Sequence, residues 1–251
     1  MKVYLSAITF HALLSGFPIE TRNMHRLHYL LTGIRRSQGG ELSKPRRAPI
    51  STAHMAALRA HISSNYACHD ARMLWAAFTT AFFGLLRAYE YTCPSTDAYI
   101  PATLLASHLT LAEDFTQATL RLSISKTDQF GKGADVHLYP LRSSLCPVSA
   151  LVHYAAIRIS DQAPLFIFQD GQFLTRNHVV DIIRQVFPGK LDLNTHSFRI
   201  GGASALAAAG VPDYIIRIMG RWASDSFLTY IRIPAQCLRD FHSRMARQFP
   251  L

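Results

Sequence analysis

The decapeptide THSFRIGGAS, residues 195–204, holds the tightest constraint in the sequence. Glycine and alanine along a helix let a neighbouring backbone approach closely, and a guanidinium buried beside such a surface is costly unless an anion meets it. His196 and Arg199 lie three residues apart, so they share one face of the helix start, where unpaired N–H groups and the positive dipole end also attract anions. The stretch therefore reads as a closely packed helix whose first turn is shaped for a phosphate, and the anion need not belong to this chain.

Working outward toward the C-terminus, the helix runs from Ser197 to Ala209 and stops at Gly210, with Pro212 beyond it. Asp213 to Met219 forms a second helix ending at Gly220, and its apolar Tyr214, Ile215, Ile216, Ile218 and Met219 are expected to be buried. Ser224 caps a last short helix carrying Tyr230 and stopped by Pro234.

Toward the N-terminus, Thr175 caps a helix to about Val186, PLFIF with the following DG is a minor strand and turn, and CPVSALVHYAAI has helical spacing. Before these the period changes to two. Leu120, Leu122 and Ile124 alternate in one run, Val136, Leu138 and Leu141 in the next, and the polar KTDQFGKG between them is a hairpin turn. Earlier still, Ser51 caps a helix through Ile62, and Asp70 is the expected cap of a long apolar helix reaching about Arg87. Residues 3 to 37 read as two amphipathic helices, with Tyr4, Ile8 and Leu13 on one and Met24, Leu27, Leu30, Leu31 and Ile34 on the other. The Gly-, Pro- and Arg-rich RRSQGGELSKPRRAP that follows is a linker, with a boundary near Arg47. The fold class is mainly α with a small antiparallel β-sheet, an α+β arrangement.

The 251 residues, 49% of them hydrophobic, suffice for one large domain with a smaller companion. Lys and Arg number 26 against 16 Asp and Glu, a formal charge of +10, and the pI near 9.8 points to a polyanionic partner, nucleic acid before an acidic membrane. No apolar run reaches the ~18 residues of a membrane span and the N-terminus lacks the form of a secretory signal, so a soluble intracellular protein is expected. Cys68, Cys93, Cys146 and Cys237 have neither zinc-site nor disulfide-framework spacing. The twelve histidines offer pairs without third and fourth ligands, and no metal is expected.

Other residues complete a chemistry of phosphate. Arg87 closes an apolar run, and Glu90, three residues on, can hold it in place. Two planar guanidiniums from distant segments can grip the non-bridging oxygens of one phosphodiester and stabilise charge that builds there. Tyr230 is the candidate nucleophile, needing cations or a base nearby because a phenol ionises near ~10. Lys126, at the hairpin, can protonate a leaving oxygen, with Lys132 a second candidate.

In this order, GLLRAYE, SKTDQFGKG, HSFR, GRW and TYIRIP, spread over residues 49 to about 234, the chain resembles the tyrosine recombinases, the phage integrase family. The resemblance implies the tyrosine recombinase catalytic-domain fold over residues 48–251. Residues 1–47 would be the last part of a helical core-binding segment with its basic linker, the rest of that clamp being incomplete. It further implies Arg87 and Arg199 as the phosphate clamp, Lys126 as general acid on the 5′ oxygen, and His196 as proton acceptor. Trp222 would support the phosphate, and Tyr230 would form a 3′-phosphotyrosyl bond with duplex DNA.

No cofactor, membrane or small-molecule partner is implied. Recombination in this family needs a synapse of four protomers, and the tail LRDFHSRMARQF is of a kind that docks on a neighbouring subunit. Trp in the GRW box makes the chain look most like recombinases of eukaryotic crypton and DIRS elements, with a nuclear location if eukaryotic and the nucleoid otherwise. Arg35, Arg36, Lys44, Arg46, Arg47 and Lys132 are the expected DNA-contacting cations. A rival reading takes ASALAAAGVPDYIIRIMGRW as a helix-turn-helix of a non-cutting, element-derived DNA binder; a type IB topoisomerase would share the same chemistry.

Overall fold

The computed structural model of the chain describes residues 2–20, 24–38, 47–124, 132–159, 164–232 and 239. It divides into two compact units, Met1–Arg46 and Arg47–Leu251. In the first, α1 (Lys2–Leu14) and α2 (His25–Gln38) take up the two expected helices. Gly16 turns the chain out of α1 at φ +81°, a conformation costly for any side chain. Tyr4, Ile8 and Leu13, the expected inward stripe of α1, are exposed, as is Leu30 of α2.

The second unit opens with α3 (Thr52–Asn65). Ser51 Oγ accepts the His54 N–H at 3.2 Å while His54 Nδ1 accepts the Ser51 N–H at 3.1 Å, a reciprocal cap. The next helix, α4 (Cys68–Phe83), is buried along most of its length from Met73 to Phe82 and packs against α3 and against two later helices, Pro147–Ala155 and Ser197–Ala208. Two expectations are corrected here. The α4 N-cap is Ala67, which makes no side-chain cap bond; Asp70 sits inside the first turn, where its carboxylate accepts the Gln169 N–H at 2.7 Å and so ties the helix start to a remote loop. The helix also ends at Phe83 rather than near Arg87, because Leu85 takes a left-handed φ of 47° that no α-helix continues through. The short helix α5 (Ala88–Tyr91) then starts with Arg87 at its N-cap.

The sheet has three antiparallel strands in the order β1 (Leu109–Leu111), β2 (Ala118–Leu122) and β3 (Ala134–Leu138). Leu120 stands opposite both Leu109 and Val136, so Leu120, Leu122, Val136 and Leu138 face the core as the alternation requires. Strand pairing ends before Ile124 and Leu141, which are exposed although the alternation placed them inward. Strand β1, three residues long, is too short to announce itself by period.

Helix α6 (Pro147–Ala155) starts at Cys146, whose Sγ accepts the Ser149 N–H, and α7 (Arg176–Val186) starts at Thr175, whose Oγ1 accepts the His178 N–H at 3.2 Å. PLFIF contributes isolated bridges, Leu105 with Pro164 and Ile167 with Phe173, rather than a full strand. The last third consists of α8 (Ser197–Ala208), α9 (Asp213–Met219) and a 3-10 turn over Asp225–Thr229. The expected burial of α9 is corrected: only Ile216 is buried, while Tyr214 and Ile218 are 61% and 67% exposed. Two turns present one inward stripe, and the remaining apolar positions necessarily face outward. Among the described residues no helix is long and apolar enough to cross a membrane.

Candidate active site

The glycines of the opening decapeptide place Arg199. A Cβ on Gly201 would lie 1.9 Å from the Ile50 carbonyl oxygen, and one on Gly202 would lie 2.3 Å from that of Phe82. The backbone of α8 therefore lies against both the segment entering α3 and the end of α4, with Ile50 N–H bonded to Ser197 O at 2.9 Å. Arg199, on the same helix, is driven to 1% exposure. Its guanidinium donates to the carbonyls of Leu85 and Gly220 and lies over the Trp222 ring, 4.2 Å from the centroid. These partners orient the guanidinium without neutralising it.

Around it sit two further arginines and one carboxylate. Glu90 is wholly buried. Its Oε1 accepts from Arg87 Nη1 at 3.0 Å, and its Oε2 accepts from the Arg87 backbone N–H at 2.7 Å and from Arg221 Nη2 at 2.8 Å. Arg221 also donates to the carbonyls of Gly84 at 3.1 Å and Leu85 at 3.2 Å, and its own carbonyl accepts from Arg87 Nη2 at 3.3 Å. Arg87 and Arg221 thus share the Glu90 carboxylate, while Arg199 feels its charge without bonding to it. Burial first, then the Arg87 and Arg221 charges, pull the Arg199 pKa down to about 9. Arg199 stays cationic at neutral pH, in a cluster whose surplus positive charge an anion would relieve.

His196 stands at the N-cap of α8, its position fixed by Asn194 Oδ1, which accepts the His196 N–H at 2.9 Å, and by Tyr91, whose hydroxyl donates to the Thr195 carbonyl at 3.1 Å. Burial, then the charges of Arg47, Arg199, Arg87 and Arg176, depress its pKa to about 4. It is therefore a neutral imidazole at pH 7, and an anion that offsets the surrounding arginine charges would raise its basicity. The ring of Tyr230 lies edge-on to it at a centroid distance of 5.1 Å and also packs on Trp222 at 5.3 Å. Tyr230 follows the 3-10 turn as its C-cap rather than riding within a helix, and its carbonyl accepts from Ser204 Oγ at 3.3 Å. That bond ties the tyrosine segment back to α8.

Arg87, Glu90, His196, Arg199, Trp222 and Tyr230 therefore form one constellation. Lys126 lies outside the described residues, as do Lys44 and Arg46, and Arg35 is described only as part of α2. Arg36 is exposed in the first unit. Lys132 is exposed, and its carbonyl accepts from Arg121 Nη2 at 2.7 Å. Arg47 is exposed close enough to act on His196.

Two residues escaped the sequence reading. Arg221 was hidden by its neighbour Trp222 in the GRW box; its signal is an arginine directly after the glycine that ends a helix, where a left-handed φ of 57° turns the chain back on the site. Arg176, the first residue of α7, is exposed and acts on His196 from a segment remote in sequence.

No protein-family model matches the sequence, and no curated protein matches it. Solved structures do. The XerH site-specific recombinase in its post-cleavage complex with a palindromic difH substrate superposes with a TM-score of 0.57 at 16% identity, over 78% of this chain and 53% of that one. The XerA recombinase gives 0.57 and 16% over 82% and 65%. The Tn1549 transposon integrase, in complex with a circular intermediate DNA, gives 0.51 and 14% over 81% and 68%. The chain spans between half and two thirds of the length of the first two neighbours. These neighbours are tyrosine recombinases, and the mostly helical fold with its small three-stranded antiparallel sheet matches their catalytic domains.

Proposed function

We propose that this chain cuts and rejoins duplex DNA by transesterification, as a site-specific recombinase or integrase. The observation that carries the reading is the joint placement of the buried Arg199 beside Arg87 and Arg221, which are paired on Glu90, with the Tyr230 ring resting on a neutral His196. Arg87 and Arg199 hold the non-bridging oxygens of the scissile phosphate, and their donors stabilise the charge that builds there during displacement. The Tyr230 hydroxyl loses its proton to His196 as its oxygen bonds to phosphorus. The bond from phosphorus to the 5′ oxygen breaks, and that oxygen takes a proton from Lys126, leaving a 3′-phosphotyrosyl link. Reversal with a different 5′ hydroxyl rejoins the strand.

On this reading residues 1–47 are a helical DNA-binding segment with a basic linker, and residues 48–251 are the catalytic domain. Four protomers assemble on DNA, and the protein works in the nucleus if eukaryotic and on the nucleoid otherwise. The kinship with crypton and DIRS elements rests on the GRW box and on sequence style alone.

The test is a covalent adduct. Incubation with a pool of nicked duplexes of randomised sequence yields a denaturant-resistant protein–DNA species, which Tyr230→Phe abolishes while duplex binding persists. Formation continues in chelator, because the donors are side chains; loss of cleavage in EDTA moves the chemistry to a metal-dependent nuclease. The exposure of α9 favours a second reading, a non-cutting DNA binder that lays this helix in a groove. That reading wins if duplex is bound, no adduct forms from any member of the pool, and Tyr214→Ala weakens binding.

A further inference from the structure

We propose that Arg221 is a positioning residue, whose guanidinium fixes Arg87 and Glu90 for an incoming phosphate by tying the turn after α4 to the turn after α9. The proposal rests on the function read above and deepens it, since Arg221 itself need not touch DNA. Its side chain is 10% exposed and bonds to Glu90 Oε2, to the carbonyls of Gly84 and Leu85, and, close by in the same turn, to Met219 O at 3.4 Å. The Leu85 carbonyl thereby accepts from Arg221 and from Arg199 together. Arg221's own carbonyl takes the second Arg87 nitrogen.

Both turns carry left-handed non-glycine residues, Leu85 at φ 47° and Arg221 at φ 57°. Such backbone is held only where its surroundings over-determine it, and Arg221 bonds across both turns. The same turn lets Trp222 fold back over Arg199, against a glycine whose missing Cβ would lie 1.6 Å from the Trp222 ring. The Arg221 carbonyl thus meets Arg87 while its guanidinium meets the carboxylate that holds Arg87. Lysine has one ammonium and cannot serve Glu90 and two carbonyls in the same geometry.

Arg221→Gly removes the guanidinium and relieves the left-handed backbone, so it separates side-chain function from turn strain. The first measurement is isotope-edited NMR of the arginine side chains. In the native protein the Arg87 Nη groups, anchored on Glu90 and on the Arg221 carbonyl, give resolved, slowly exchanging signals; in Arg221→Gly they merge and exchange with water. The second is the rate of adduct formation on the cleaved nicked duplex, expected to fall about 10²-fold, the order of loss a misplaced catalytic group brings, with duplex affinity little changed. Combining Arg221→Gly with Arg87→Ala adds no further loss, because the two act as one unit. If Arg221→Gly unfolds, Arg221→Lys carries the same measurements. Unchanged Arg87 signals overturn the inference whatever the cleavage rate, as do additive rate losses. Absence of any adduct from the native protein sinks the cleavage reading instead, and the Arg87 signals then decide the positioning role by themselves.

Discussion

Arg199 and His196 illustrate how neighbours set chemistry at the level of one residue. A neutral His196 at physiological pH follows from burial and four arginines, and it has a consequence for stability that needs no substrate. The unfolded chain protonates this histidine near 6.5 whereas the folded protein resists until about 4. Between those values the unfolded state binds the extra proton, so His196 draws stability out of the fold as pH falls through that window. His196→Gln should flatten this part of the profile, read as urea midpoints between pH 7 and 4; an unchanged slope would show that other groups set it. Trp222 invites a comparison of two substitutions, since it supplies both a π-face under Arg199 and mass in the small cluster with Leu85, Ile216 and Phe227. Trp222→Phe keeps a ring and should cost less than Trp222→Ala, which should cost about 3 kcal/mol or more in the same unfolding experiment.

Helix α8 does two things at once: its first turn presents the site while its glycines permit the packing that buries Arg199. Gly201→Ala pushes a methyl into the Ile50 carbonyl, backbone that has no rotamer to yield, so it should destabilise by about 3 kcal/mol and loosen Arg199 from Leu85. A loss below about 1 kcal/mol would mean that the α3 entry segment shifts easily. This helix was legible in sequence because both of its signals, the small-residue run and the i,i+3 His/Arg pair, are local. Helices capped by Ser51 and Thr175 were legible for the same reason. What escaped depended on partners distant in the chain. Asp70 looked like a cap but serves a loop about a hundred residues away, the break at Leu85 is held by arginines from α8 and from the turn after α9, and Arg221 gains its meaning only from Glu90. The burial expected for α9 failed because hydrophobicity says how much a helix has to hide, not whether a neighbour is there to hide it.

For the whole molecule, the charge of +10 sorts into two kinds that act differently. Buried Arg199 and the partly buried Arg87 and Arg221 are committed to one small site, where salt screens them less than on the open surface. Exposed Arg47 and Arg176 lie close enough to depress His196, so they border the site in solvent and, on the proposed function, suit the phosphates flanking the scissile one. Binding of duplex should therefore weaken steeply with salt, the log–log slope falling by roughly 0.9 for each phosphate neutralised. Arg47→Gln together with Arg176→Gln should reduce the steepness of that slope by nearly two such increments while leaving Arg199-dependent cleavage of already bound duplex intact. Fluorescence anisotropy titrations over a range of potassium chloride concentrations measure it. A slope unaffected by the double substitution would place the flanking phosphates elsewhere on the surface, and a salt-independent association would replace DNA with a protein partner.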